Sequence, residues 1–202
     1  MCGRYYINSE LLREAGTDPG DRICRELVGM RKKEIRPSET APVLTGASDV
    51  RNGANRRYIR TELMEWGFPS EKGKHLIINA RAESAMEKTM FRERIRRNRC
   101  VIPAARFFEW NSREEKSDFF RKNEENIFFA GFYGEFDGQR RFVILTTEAN
   151  PSVAPVHSRM PLILEKKEAE SWIFEEDRTA EFLKKTPVML EKKQEYEQLT
   201  LF

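Results

Sequence analysis

The second residue of the chain is a cysteine, in Met1-Cys2-Gly3-Arg4-Tyr5. A small residue there permits removal of Met1, after which the chain would begin with an amine and a thiol on adjacent carbons. Such a 1,2-aminothiol reacts with an aldehyde in two steps. The amine forms a Schiff base, and the thiol closes onto the imine carbon to give a five-membered thiazolidine. An α-amine titrates near about 7.7 to 8.0 and a thiol near about 8.5, so both nucleophiles are accessible close to neutral pH without a metal. By position alone, an incidental small residue after a start codon would look the same.

Four other polar residues stand out, nearly all at expected strand ends. Asn79 and Arg81 lie in Ile78-Asn79-Ala80-Arg81-Ala82-Glu83, where a strand hands over to a helix. Glu109 lies among aromatics in Phe107-Phe108-Glu109-Trp110, and partial desolvation there would raise its pKa toward neutrality and suit it to proton transfer. The chain has two histidines. His75 precedes an apolar strand among lysines, so a proton-transfer role falls to His157, in Val156-His157-Ser158-Arg159-Met160-Pro161. Each has a structural alternative: Asn79 as a helix cap, Glu109 on the solvent face of a strand, His157 as a satisfied structural residue.

The elements that must position these groups read as α+β. A helix is expected near 20 to 31, after Asp18-Pro19. A strand at Pro42 to Thr45, a turn at Asn52-Gly53 and a return arm from Arg57 to Trp66 make a hairpin. A short strand from Leu76 to Ile78 stops at Asn79, and one helix runs from Ala82 to about Arg97. Strands follow at Cys100 to Ile102, Phe107 to Trp110, Ile127 to Phe136, Arg141 to Thr147 and Met160 to Leu164, with Asp137-Gly138 as the strongest turn signal. Surface helices at Lys166 to Phe174 and Thr179 to Lys185 close the chain. A mostly antiparallel, open barrel-like sheet with short peripheral helices, forming a single domain over 1–202, is the simplest arrangement.

Composition narrows the class. At 202 residues, with 14 Phe and 3 Trp, the chain can bury a core without staples. Its three cysteines do not make a disulfide framework, and no apolar run is long enough to cross a bilayer. A cytoplasmic monomer is expected, with no cofactor and no metal. The net charge of +3 is uninformative, but arginine is clustered. Arg51, Arg56, Arg57 and Arg60 stand together without an acid, and Arg92, Arg94, Arg96, Arg97 and Arg99 are accompanied by Glu93 alone. Such clusters suit phosphates or a solvated helix face equally well.

Eight blocks, in order, resemble the SOS response-associated peptidase (SRAP) family. They are Met1-Cys2-Gly3-Arg4-Tyr5, Arg36-Pro37 through Ala41-Pro42-Val43, Trp66-Gly67-Phe68, Asn79-Ala80-Arg81-Ala82-Glu83, Arg99-Cys100-Val101-Ile102-Pro103-Ala104, Phe108-Glu109-Trp110, Thr146-Thr147-Glu148-Ala149-Asn150 and His157-Ser158-Arg159-Met160-Pro161. Proteins of this family shield abasic sites in single-stranded DNA. The resemblance implies that mature Cys2 attacks the ring-opened aldehyde of an abasic deoxyribose and joins the DNA as a thiazolidine, associating with the nucleoid on DNA damage. It also implies that Asn79 holds the Cys2 terminus and the sugar, that Glu109 is general acid and base, and that His157 assists at the sugar. Arg4, Arg81 and Arg159 would meet the DNA, with Trp66 and Phe68 packed beneath the site or stacked on bases.

Two departures stand out. Ser158 occupies a position where many relatives have Asp, which leaves the orientation of His157 open, and the Glu/Lys-rich segment from Thr186 to Phe202 is short. Three other readings are a thiol peptidase with Cys2 as nucleophile, a noncovalent single-strand binding module and, weakest, a zinc site.

Overall fold

A computed structural model of the chain describes residues 2–8, 32–51, 54–70, 73, 75–122 and 125–194. The helix expected near 20 to 31 and the Asn52-Gly53 turn lie outside them. In chain order the strands are β1 (Tyr5–Asn8), β2 (Lys32–Ile35), β3 (Thr40–Arg51), β4 (Ala54–Trp66), β5 (Phe68–Pro69), β6 (Leu76–Ile77) and β7 (Asn79–Arg81). Helices α1 (Ala82–Ala85) and α2 (Thr89–Arg97) follow, then β8 (Arg99–Ala104), β9 (Arg106–Trp110), β10 (Lys116–Phe120), β11 (Ile127–Phe136) and β12 (Gln139–Glu148). The chain continues through β13 (Arg159–Pro161), β14 (Ile163–Leu164), α3 (Ala169–Phe174), α4 (Thr179–Leu183) and β15 (Glu191–Gln194).

The expected α+β class, mostly antiparallel with short helices, is what the chain adopts, and its larger sheet closes on itself. β3 pairs with β4 along its whole length and with β8 on its other side; β8 pairs with β11 and β11 with β12. β12 then returns to β4 in parallel, through Arg141↔Glu65 and Phe142↔Trp66. Closure satisfies edges that an open sheet would expose. The Asp137-Gly138 turn forms as expected, with φ of 51° and 76°, the left-handed pair that a two-residue hairpin requires.

A second sheet, in the order β15-β10-β9-β1-β2, packs against this barrel. Only β9 of these strands was legible in the sequence. Alternation sorts the apolar residues into two cores. Val43, Ile102, Phe129 and Ile144 point inward, where they meet Tyr5, Ile35, Phe107 and Phe119 of the second sheet. Leu44, Val101, Phe128 and Leu145 point the other way and are covered by Trp172, Ile173 and Phe182 of the last two helices.

Two expectations need correcting. Residues 82–97 form two helices rather than one, because the turn at Met86 to Lys88 lets Arg92 reach back over the break. Its Nε and Nη2 donate to the carbonyls of Met86 and Glu87 at 2.8 and 3.1 Å, satisfying groups that a continuous helix would have bonded internally. The strand expected to stop at Asn79 instead restarts there as β7, parallel to β12. The residue capping α1 is Arg81, which excludes Asn79 as the cap.

Arg99 shows what part of the second arginine cluster is for. It is buried and donates to the carbonyls of Trp172 (2.5 Å), Ile95 (2.9 Å) and Ile173 (3.2 Å), and to that of Arg96, tying α2 and α3 to the barrel. Burial lowers its pKa from the usual guanidinium value, with Glu176 opposing. Replacing it by Met keeps the stem but orphans these carbonyls. Arg99→Met is therefore expected to cost about 3 kcal/mol, read from the urea midpoint. A loss below about 0.5 kcal/mol, the scale of a surface substitution, would contradict this role.

Candidate active site

The second sheet delivers Cys2 and Glu109. β1 pairs with β9 through Tyr5↔Phe107 and Tyr6↔Arg106, and the Phe108 N–H donates to the Arg4 carbonyl at 3.1 Å. Residues 2 to 4 are thereby led along the strand that bears Glu109. On β9, Phe107 and Glu109 share the inward face while Phe108 points away, against Tyr6 and the Lys116 ammonium. Glu109 is thus only 2% exposed, which excludes the solvent-face reading.

The barrel delivers Asn79. Trp66 ends β4 and donates from Nε1 to the Ile78 carbonyl at 2.9 Å, and Ile144 N–H takes the same carbonyl at 3.1 Å, so the residue before Asn79 is pinned twice. Gly67 makes this possible. Its φ of 113° turns the chain sharply after Trp66, and a Cβ there would stand 3.1 Å from the Leu76 Cβ. Asn79 Nδ2 then donates to the Cys2 carbonyl at 2.8 Å, bridging the two sheets, while Asn79 Oδ1 is buried with no hydrogen-bond partner among the described residues.

His157 arrives on the loop between β12 and β13. The Asn150 amide anchors this loop by donating to the Pro187 and Val188 carbonyls at 3.0 and 2.8 Å, and His157 N–H returns to the Val153 carbonyl at 3.1 Å. His157 Nδ1 faces both the Arg159 N–H, at 3.0 Å, and the Arg159 carbonyl, at 3.1 Å, so the backbone of Arg159 can serve either tautomer of the ring. The backbone therefore holds the ring orientation that an acid after the histidine would otherwise set, which answers the question raised by Ser158.

Electrostatics couple these groups. Cys2 is fully buried, and burial pushes its thiol well above the ordinary range, with the Glu109 carboxyl adding to the rise; Sγ donates weakly to the Arg4 carbonyl at 3.5 Å. Burial also raises Glu109, and the His157 imidazole acts in the opposite direction. Cys2, Asn79, Glu109 and His157 are thus brought to one place. Ser117 joins them and was not visible in the sequence. It stands directly across from Glu109 in the β9–β10 register, fully buried, with its hydroxyl unpartnered among the described residues. The register of that hairpin, once the short strand 116–120 is recognised, is the signal that finds it.

The residues expected at DNA divide. Arg81 is exposed beside Asn79, and Arg4 is partly exposed, its guanidinium 5.1 Å over the Trp110 ring and 3.4 Å from Glu34. Arg159 is engaged elsewhere, in a fork with both Glu83 oxygens at 2.8 and 2.9 Å and on the Thr146 carbonyl at 2.7 Å. Trp66 and Phe68 are fully buried, Trp66 stacked on Phe142 in the core that holds Cys2 and Phe68 packed on Phe132 and Phe136 in the other core, so neither presents a face to a base. Among the described residues, no cluster of His, Cys, Asp and Glu could hold a metal ion.

Comparison with known proteins gives the family and the fold. The family model described as SOS response associated peptidase (SRAP) matches residues 1–200. A Bacillus subtilis protein named abasic site processing protein YoqW is 29% identical over 201 residues, covering 91% of this chain and 84% of its own. Another from that organism, abasic site processing protein YoaM, is 30% identical over 198 residues, covering 91% and 83%. A crystal structure of a protein from Bacteroides thetaiotaomicron superposes with a TM-score of 0.77 at 22% identity, covering 96% of this chain and 91% of that one.

The thiol–carboxyl coupling has a measurable sign. Removing the Glu109 charge lowers the Cys2 pKa, so Glu109→Gln should speed iodoacetamide labelling of the Cys2 peptide several-fold at pH 8. Because Glu109 titrates higher folded than unfolded, its contribution to stability falls as pH rises from the unfolded value through the folded one. The same variant should therefore be more stable than the parent at neutral pH. Slower labelling together with lower stability would contradict a carboxyl whose pKa is raised by burial.

Proposed function

This chain belongs to the SOS response associated peptidase (SRAP) family, and as a member of it we propose that the protein processes abasic sites in single-stranded DNA by joining itself covalently to them. The observation that carries this reading is the bond from Asn79 to the Cys2 carbonyl. It holds the residue by the one group the chemistry does not use, leaving amine and thiol for the substrate. Relatives whose names describe abasic site processing support the substrate class.

The steps follow from the groups present. The lesion sugar is a cyclic hemiacetal whose opening requires loss of the C1′ hydroxyl proton and protonation of the ring oxygen. His157 and Glu109 serve as the donor and acceptor pair. After Met1 removal the Cys2 amine adds to the aldehyde carbon. The resulting carbinolamine loses its hydroxyl as water, with the proton supplied by Glu109, whose burial raises its pKa and favours the protonated form. The thiol sulfur then bonds to the imine carbon while its proton reaches the nitrogen by way of Glu109. One water is released overall, and no oxidant or metal is consumed. Holding amine, thiol and aldehyde together makes ring closure unimolecular.

Arg4 and Arg81 flank the site as phosphate partners, and Trp110, beneath Arg4, is the aromatic surface left for a base. Arg159 acts indirectly, by fixing β13 against α1 through Glu83. The raised thiol disfavours the peptidase reading, since a thiol protease needs a resting thiolate and hence a depressed pKa.

The test is a denaturation-resistant adduct on an abasic oligonucleotide. The parent protein should form it and Cys2→Ala should not. Glu109→Gln should slow it by roughly 10²- to 10⁴-fold, the usual range for a lost general acid. Protein retaining Met1 should be inactive. Equal yields from parent and Cys2→Ala would refute the proposal.

A further inference from the structure

Two arginine clusters far apart in sequence meet at one cavity that shares no residue with the Cys2 site. It measures about 230 Å³ and is lined by Gly46, Ala47, Ser48, Arg57, Arg97, Arg99, Tyr133, Ile173 and Phe174. Arg57 comes from the first cluster, Arg97 and Arg99 from the second. The lining contains three guanidinium groups and no carboxylate. At about 30 Å³ per water, the space holds several waters, enough for a phosphate group.

The site is built, and each part can be traced. Ser48 and Arg57 face each other in the β3–β4 register and so project from the same side of the ribbon. Two residues earlier on that face, Gly46 lets the Phe174 ring close in: a Cβ at that position would lie 2.6 Å from the ring. The seated ring carries the Arg57 guanidinium 5.1 Å above its centroid. Among the described residues Arg57 has no ion-pair partner, unlike Arg60, Arg121, Arg140, Arg141 and Arg159. Arg97 has only a loose contact with Glu93, at 3.8 Å between two exposed side chains, a pair weak enough to yield to a better anion. Arg99 has committed its donors to carbonyls and contributes charge alone.

We propose that this cavity binds a backbone phosphate of the DNA strand as it runs away from the lesion, with Arg57 and Arg97 as the donors and Ser48 as a third partner. The inference rests on the abasic-DNA reading for its ligand, since two guanidinium groups lining one cavity with no carboxylate suit a phosphodiester. It adds a second anchor that reads no base and that only a strand long enough to leave the Cys2 site can reach.

The experiment measures noncovalent binding of an intact single-stranded oligonucleotide, longer than about 16 nucleotides, as a function of salt for the parent, Arg57→Ser, Arg97→Ser and the double variant. Each lost phosphate contact should flatten the slope of log affinity against log salt by roughly 0.7 and weaken binding several-fold. With an abasic oligonucleotide of about 4 nucleotides, the adduct rate should equal that of the parent, because so short a strand does not reach the cavity. Unchanged slopes in the double variant would overturn the proposal. So would millimolar inorganic phosphate binding that is lost in the variants while oligonucleotide binding is kept, since the anion would then be a free one. Failure of the parent to form any adduct would refute the covalent reading while the salt slopes still report on the cavity. The substituted residues lie at the surface, and unchanged thermal melts would confirm that the variants are folded.

Discussion

The structure depends on tying the segment Cys2 to Arg4 to the protein, with Cys2 fully buried. Residues before the first strand of a domain ordinarily fray unless something ties them down. Here two ties come from different layers: β9 takes the Arg4 carbonyl, and the Asn79 side chain, carried by the barrel, takes the Cys2 carbonyl. Each sheet alone holds half of the site. The packing of one on the other, through Tyr5, Trp66, Phe107 and Phe129, sets the distance between the thiol and the groups that serve it. Burial follows from the same constraint and raises both the thiol and the Glu109 carboxyl.

That burial is costly to stability, and the rest of the fold offsets it. The hydroxyls of Tyr5 and Ser117 and the amide oxygen of Asn79 sit in or beside the site away from water, and such groups are expensive when unsatisfied. The compensation lies in a barrel without free edges and in arginines used as internal staples. Arg92 bridges a broken helix, Arg99 ties two helices to the sheet, and Arg159 forks onto Glu83. Much of the basic character that looks like a nucleic-acid surface in the sequence is therefore structural. The arginines that escape such duties, Arg4, Arg57, Arg81 and Arg97, are the informative ones.

How much of this was legible before the structure follows from chain distance. The Asp137-Gly138 hairpin and the strands beside it were readable because their signals are local. Cys2, Asn79, Glu109 and His157 were readable because reactive types stood in motifs resembling one family. The second sheet was not, since β1, β2, β10 and β15 are short and pair with partners up to about a hundred residues away, which no local pattern reports. Ser117 was lost with it. Trp66 and Phe68 were read as candidates for base stacking because aromatic residues look alike in sequence whether they face DNA or a core. Only their burial, in separate cores on either side of the left-handed turn at Gly67, shows that both rings face away from solvent.

The central claim is that one residue supplies both nucleophiles to one carbon, and an intact-mass spectrum of the protein before and after mixing with an abasic oligonucleotide tests it most directly. The account predicts a single adduct on chains lacking Met1, at the summed mass of protein and oligonucleotide less one water, unchanged by borohydride and with the Cys2 thiol no longer titratable. An adduct that retains Met1, leaves the thiol free, or forms equally on Cys2→Ala would contradict it.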